Sequence, residues 1–209
     1  AETVTRIGQH TWPVQLTPTT RAFVGELSDA FGLDIDPTDV ESVVKHLGPL
    51  ARMIGASFMN TAQPTMLQAG YKHNVIPEEA HVFIDGRVLP GYEPDFDREF
   101  NALLGPNIRR TDLISDIAIE TAFDGPTIDL MCATLREADP RARPVPFLMS
   151  GGTDAKAFSR LGIRCFGFIP LQLPPALDFT ALFHGVNERV PINSLKFGAR
   201  VMDRFLRQV

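Results

Sequence analysis

Cysteine is scarce in this chain: two among 209 residues, Cys132 and Cys165. A domain of this size with so few does not rest on a disulfide scaffold. Both thiols read as small core hydrophobes, and the expected compartment is reducing and cytoplasmic, although a removed leader would leave no trace. No apolar run approaches the roughly 20 residues that span a bilayer, so no membrane partner is expected. Basic clusters interleaved with aromatics are missing and the formal net charge is -5, which argues against a nucleic-acid partner. There is no Walker loop, no Gly-x-Ser-x-Gly elbow and no His-Glu-x-x-His. His10, His46, His73 and His81 fall in no metal-ligand spacing. A catalytic zinc takes about three protein ligands, so the chain carries no self-sufficient metal motif. It also lacks an initial Met: it opens at Ala1-Glu2-Thr3-Val4 inside a helical pattern, with Ala1, Val4 and Ile7 on one face, as a truncated or processed chain would.

What is present suits a soluble globular protein of one large or two small domains, with 44% hydrophobic and 22% charged residues. Residues 1–10 read as a short helix. Thr17-Pro18 starts a second, with Thr as N-cap, an apolar face of Phe23, Val24, Leu27, Ala30 and Phe31, and a stop at Gly32. Asp36-Pro37 starts a third through Val40, Val43, Val44 and Leu47, and residues 50–60 form a short helix or packed loop. Strands are expected at Thr65–Tyr71 and Ala80–Leu89, the second alternating Val82, Ile84 and Val88 against His81, Phe83, Asp85 and Arg87. A helix at 94–104, with Phe96, Phe100 and Leu103 on one face, and a strand at 114–123 follow. Helix, strand, strand, helix, strand is a split βαβ unit without its opening strand. Beyond Asp124-Gly125-Pro126 the order is helix 126–138, strand 143–149, helix 154–161, strand 163–169 and helix 193–208, an α/β alternation. Leu195, Ala199, Met202 and Leu206 recur at helical spacing in the last of these.

Several phrases carry candidate chemistry, each beside an ordinary reading. His184, in Phe183-His184-Gly185, is a candidate zinc ligand delivered by a loop, or a lone structural histidine. Glu188, four residues on, can support the His184 ring or sit in a surface ion pair. Ser150-Gly151-Gly152-Thr153-Asp154 lets an anion approach backbone N–H groups at a helix start, or is simply a tight strand-to-helix turn. Arg87 can clamp a carboxylate, or pair with Asp85 or Glu79. Asn74 can donate to an oxyanion, or occupy a turn.

Four phrases in order carry a resemblance over almost the whole chain: Lys72-His73-Asn74-Val75-Ile76-Pro77, Asp85-Gly86-Arg87 with Pro90-Gly91, Gly151-Gly152-Thr153-Asp154, and His184-Gly185-Val186-Asn187-Glu188. The chain resembles the co-catalytic zinc hydrolases that include carboxypeptidase S, aminoacylase, acetylornithine deacetylase and succinyl-diaminopimelate desuccinylase. The nearest branch is that of carboxypeptidase S and the N-acyl-amino-acid hydrolases. The resemblance implies a ferredoxin-like lid and dimerisation domain at 1–123, with its first strand missing and a helical insertion at about 12–60. It implies the C-terminal part of an α/β zinc-peptidase catalytic domain at 124–209. His184 then matches the last zinc ligand, and Glu188 a residue supporting its loop. Asn74 and Arg87 match lid residues that reach a substrate, often in a partner subunit, with Asn74 helping to stabilise the oxyanion. Gly151, Gly152 and Thr153 match the loop facing the substrate carboxylate. The implied parent is a two-zinc amidohydrolase that cleaves N-acyl amino acids or small peptides and forms a homodimer. The family's His-x-Asp pair, bridging Asp, Glu-Glu pair, further acidic ligand and lid histidine are missing, and Glu78-Glu79 is a false echo. The chain is therefore expected to be an inactive fragment on its own. The alternative is a non-catalytic dimerisation or carboxylate-binding module.

Overall fold

The computed structural model describes residues 1–32, 36, 39 and 54–209. The helix expected after Asp36-Pro37 and the start of the 50–60 segment lie outside the described residues, as does His46. Among the described residues the order is α1 (Glu2–Gln9), α2 (Pro18–Phe31), β1 (Thr61–Ala69), β2 (Ala80–Arg87), α3 (Glu93–Leu104), α4 (Pro126–Ala138), α5 (Ala155–Ser159) and α6 (Ile192–Leu206), with single 3-10 turns at Gly55–Ser57 and Thr180–Leu182.

Local signals place the helices. Thr17 caps α2: its side chain accepts from the Thr20 N–H, while the Thr20 hydroxyl accepts from the Thr17 N–H, and Pro18 takes the first turn, where its missing donor costs nothing. Gly32 ends α2 at φ 61, a left-handed conformation that suits glycine. Phe23 and Val24 are buried beneath it, with Leu27 and Ala30 half-buried. The carbonyls that end α3 are taken by α1: the Thr3 hydroxyl donates to Leu104, and Arg6 donates to Leu103 and Leu104.

β1 and β2 form an antiparallel hairpin from Thr61↔Arg87 to Ala69↔Ala80. Thr65 is an extra residue between Pro64 and Met66, where the register shifts. Proline has no N–H to offer the ladder, and a bulge beside it absorbs the mismatch. β1 begins four residues before the expected start at Thr65 and ends before Gly70, at φ 70. The alternation in β2 is less clean than its sequence implies, since Phe83 is half-buried alongside Val82 and Ile84. One core layer lies on this hairpin: Ile7, Trp12, Ala62, Phe96 and Phe100, with Trp12, Phe96 and Phe100 stacked at 5.1 and 5.5 Å between ring centroids.

Three expected strands are absent: 114–123, 143–149 and 163–169 join no ladder. Apolar alternation reports which side chains suit a core. It does not supply the second backbone that a ladder needs. The groups along these segments bond elsewhere. Arg160 holds Asp116, Arg164 holds the Ala122 carbonyl and Asp124, and the Glu120 carboxylate accepts from the Thr19 N–H at the start of α2. The Ile163 N–H donates to the Phe158 carbonyl.

The core face of α6 also differs from the expected stripe. Ser194, Phe197, Gly198, Val201 and Phe205 are buried, whereas Leu195 and Leu206 are exposed. Gly198 sets this face: a Cβ there would stand 2.5 Å from the Pro170 carbonyl oxygen, so glycine lets the helix lie against the 170–171 backbone. Gly198→Ala is expected to cost about 1–3 kcal/mol from the forced shift, outweighing alanine's better helix propensity. A lowered urea midpoint checks it.

No described helix is long and apolar enough to cross a membrane. Both cysteines are free and half-buried, and burial pushes the Cys132 thiol above its ordinary value, so it is a poorer nucleophile than a free thiol.

Candidate functional site

Arg87 is the last residue of β2 and lies along a broad, open surface depression. Its Nε donates to Asp85 Oδ2 at 2.8 Å, and its Nη1 donates to the Ser150 carbonyl at 3.3 Å. The ordinary reading of Arg87, a pair with Asp85, is therefore present. The second bond goes further: it joins the hairpin to the glycine-rich loop across 63 residues of chain. The side chain remains 46% exposed, and its guanidinium has donors left to offer.

Ser150, Gly151, Gly152 and Thr153 line the same cleft. A Cβ on Gly152 would meet nothing within 4 Å, so there is open space over the loop backbone for another group. The helix that follows, α5, has five residues and no side-chain cap. So short a stack of peptide dipoles adds little, and the anion-binding case rests on the loop's own N–H groups and on Arg87.

His184 lies along the same depression, which extends over much of the chain's surface. It is exposed and adopts φ 56, the one positive φ at a non-glycine among the described residues. The Gly185 N–H closes the turn on the Leu182 carbonyl at 3.0 Å, and the Glu188 N–H donates to the Gly185 carbonyl at 3.3 Å. Glu188 supports the loop through that backbone bond. Among the described residues no hydrogen bond joins its carboxylate to the His184 ring, and Glu188 does not line the cleft. Nor does Asn74, which is exposed in the turn between β1 and β2.

One hydrogen bond brings Arg87 and the 150–153 loop together; among the described residues no hydrogen bond ties His184, Asn74 or Glu188 to either. Among the described residues no group of three or more His, Cys, Asp or Glu could hold a metal ion. His184 is one donor, and one donor does not make a metal site.

Two residues here escaped the sequence reading. Ser57 donates its hydroxyl to the Leu148 carbonyl, and Asn60 Oδ1 accepts from the Leu89 N–H at 2.8 Å. Their signal was polarity inside an apolar run, since a buried polar side chain needs a partner.

The chain matches the family model described as "Peptidase family M20/M25/M40" over residues 10–208. It is 30% identical over 140 residues to the "Probable carboxypeptidase S-like 2" of Dictyostelium discoideum, an alignment covering 65% of this chain and 27% of that protein. It is 28% identical over 153 residues to the human "N-fatty-acyl-amino acid synthase/hydrolase PM20D1", covering 68% and 29%. Among solved structures, the M20 family metallo-carboxypeptidase Sso-CP2 from Sulfolobus solfataricus superposes with a TM-score of 0.56 at 14% identity, over 99% of this chain and 50% of that one. That likeness speaks to the fold, which is α/β. The chain spans less than a third of the length of the curated relatives it matches.

Proposed function

Since this chain belongs to peptidase family M20/M25/M40, we propose that it forms part of a metal-dependent hydrolase opening the amide bond of an N-acyl amino acid or small peptide with a free carboxylate. The observation that carries the substrate class is Arg87: a half-exposed side chain whose guanidinium is bonded to the rim of a glycine loop. An arginine presents paired donors that match a carboxylate, and glycine at 151 and 152 lets that carboxylate approach backbone N–H groups.

In this reading residues 1–123 are a lid and dimerisation domain of ferredoxin-like type, and residues 124–209 the C-terminal part of the catalytic domain. Asn74, at the tip of the hairpin and off the cleft of its own chain, reaches the cleft of a second copy in a homodimer. His184 is one metal ligand, zinc being the expected ion, and the other donors come from outside the described residues. What this chain itself contributes is binding and orientation. Arg87 and the 151–153 loop hold the carboxylate, which sets how far into the cleft the scissile amide lies.

The test compares hydrolysis of an N-acyl amino acid with hydrolysis of its C-terminal amide by the full-length protein. Arg87→Ala is expected to lower the preference for the free acid about 10- to 100-fold, the worth of a charge-assisted bond or two at a half-exposed site. An unchanged preference rejects the clamp. A full-length protein that neither binds metal nor hydrolyses such amides would be a dimerisation or carboxylate-binding module instead.

A further inference from the structure

Ser57 and Asn60 occupy places where apolar residues would cost less. Each is 1% exposed, in a segment whose Ile54 and Phe58 belong to the core. Burying a hydroxyl or an amide costs free energy unless it is bonded. Both side chains bond outward, to backbone on the two flanks of the carboxylate site, Asn60 through Oδ1 alone, since its buried Nδ2 has no partner among the described residues. The Ser57 hydroxyl donates to the Leu148 carbonyl, two residues before Ser150. Asn60 Oδ1 accepts from the Leu89 N–H, two residues after Arg87. The segment between them is itself held, because the Phe58 carbonyl accepts from the Gln15 N–H at 2.7 Å and Met59 bridges Val14.

Three bonds therefore close one frame: Asn60 to the end of β2, Ser57 to the approach of the glycine loop, and Arg87 across the gap to Ser150. The third is the weakest. It spans 3.3 Å from a half-exposed side chain, and it must yield if the guanidinium turns to a carboxylate. The other two come from side chains in buried positions and do not involve the clamp donors, so they persist when Arg87 changes partner.

We propose that Ser57 and Asn60 are positioning residues that fix the gap between Arg87 and the glycine loop, and so set the selectivity for a substrate carboxylate. This rests on the reading of Arg87 and the loop as the carboxylate clamp. A gap held open at the right width before the substrate arrives spares the complex the cost of ordering it.

The readout is one ratio in the full-length protein: kcat/KM for an N-acyl amino acid over kcat/KM for its C-terminal amide. Ser57→Ala is expected to lower this ratio about tenfold, through KM for the free acid, as a displaced clamp would. Ser57→Thr keeps the hydroxyl and is expected to restore it. In an Arg87→Ala background Ser57→Ala is expected to change the ratio no further, because no guanidinium is left to position. Asn60→Ala cuts the other arm of the frame and gives the same readout if Ser57→Ala does not fold. A folded variant of either residue with an unchanged ratio, even with a lowered melting temperature, makes the frame merely structural and overturns the proposal. An unchanged ratio in Arg87→Ala alone is a different failure, since it removes the clamp beneath it.

Discussion

Replacing His184 by alanine in the full-length protein is expected to lower kcat for amide hydrolysis by about three orders of magnitude, with bound metal falling alongside. A non-glycine residue in the left-handed region costs of order 1–3 kcal/mol and persists where its surroundings demand it. His184 is the one such residue described, at φ 56. Gly185 beside it is held tightly, because a Cβ there would stand 3.1 Å from the Leu182 carbonyl oxygen. The turn therefore holds an exposed imidazole, which suits a ligand more than a core side chain. His184→Asn separates the two roles. Asparagine tolerates the left-handed conformation, so the loop and the melting temperature are expected to be kept while activity and metal content still fall. If His184→Asn retains both metal and activity, His184 is a turn residue and the assignment fails.

The parts of the fold that were legible in the sequence are those whose cause is local. Thr17-Pro18 and Gly32 bound α2 because capping and left-handed stops act within a few residues. Helix α4 spans its expected 126–138 for a similar reason, with Pro126 in the first turn and Gly125 before it at φ 90. The hairpin was half legible: Pro64 hid the first four residues of β1, because proline argues for a strand end and the bulge that tolerates it has no signature of its own. What was not legible depends on partners. The runs 114–123, 143–149 and 163–169 have strand texture, but their pairing depends on backbone brought from elsewhere, and guanidinium and hydroxyl bonds hold parts of them instead. On α6 two apolar stripes compete. The buried one is chosen by Gly198 against the Pro170 carbonyl, a contact with no trace in the periodicity. The site divides in the same way. Arg87, the glycine loop and His184 stand out as phrases, whereas Ser57 and Asn60 gain meaning only once Leu148 and Leu89 are beside them.

Phe96→Ala is expected to destabilise the protein by about 3–5 kcal/mol, the usual cost of emptying a buried aromatic site. The ring is 7% exposed and stands in a stack, Trp12 on one side at 5.1 Å and Phe100 on the other at 5.5 Å. Neither neighbour can move in to fill the space without giving up its own packing: Trp12 lies edge-on to His10, and Phe100 carries the Arg110 guanidinium over its face at 5.3 Å. The loss should also reach the cleft. Phe96 packs against the backbone at Gly86, where a Cβ would stand 3.1 Å from the ring, and Gly86 is the residue before Arg87. With the ring gone, the end of β2 loses its floor on that side, while its pairing with β1 and the Asn60 bond just beyond it remain. Phe96→Leu retains much of the volume and is expected to lose less than half as much stability, with the free-acid preference kept. Urea unfolding and the acid-to-amide ratio on the same two variants separate the effects. A midpoint that barely moves in Phe96→Ala would show that the stack is not the core of this layer. A lowered midpoint with an unchanged ratio would show that the floor under Gly86 does not hold the clamp in place.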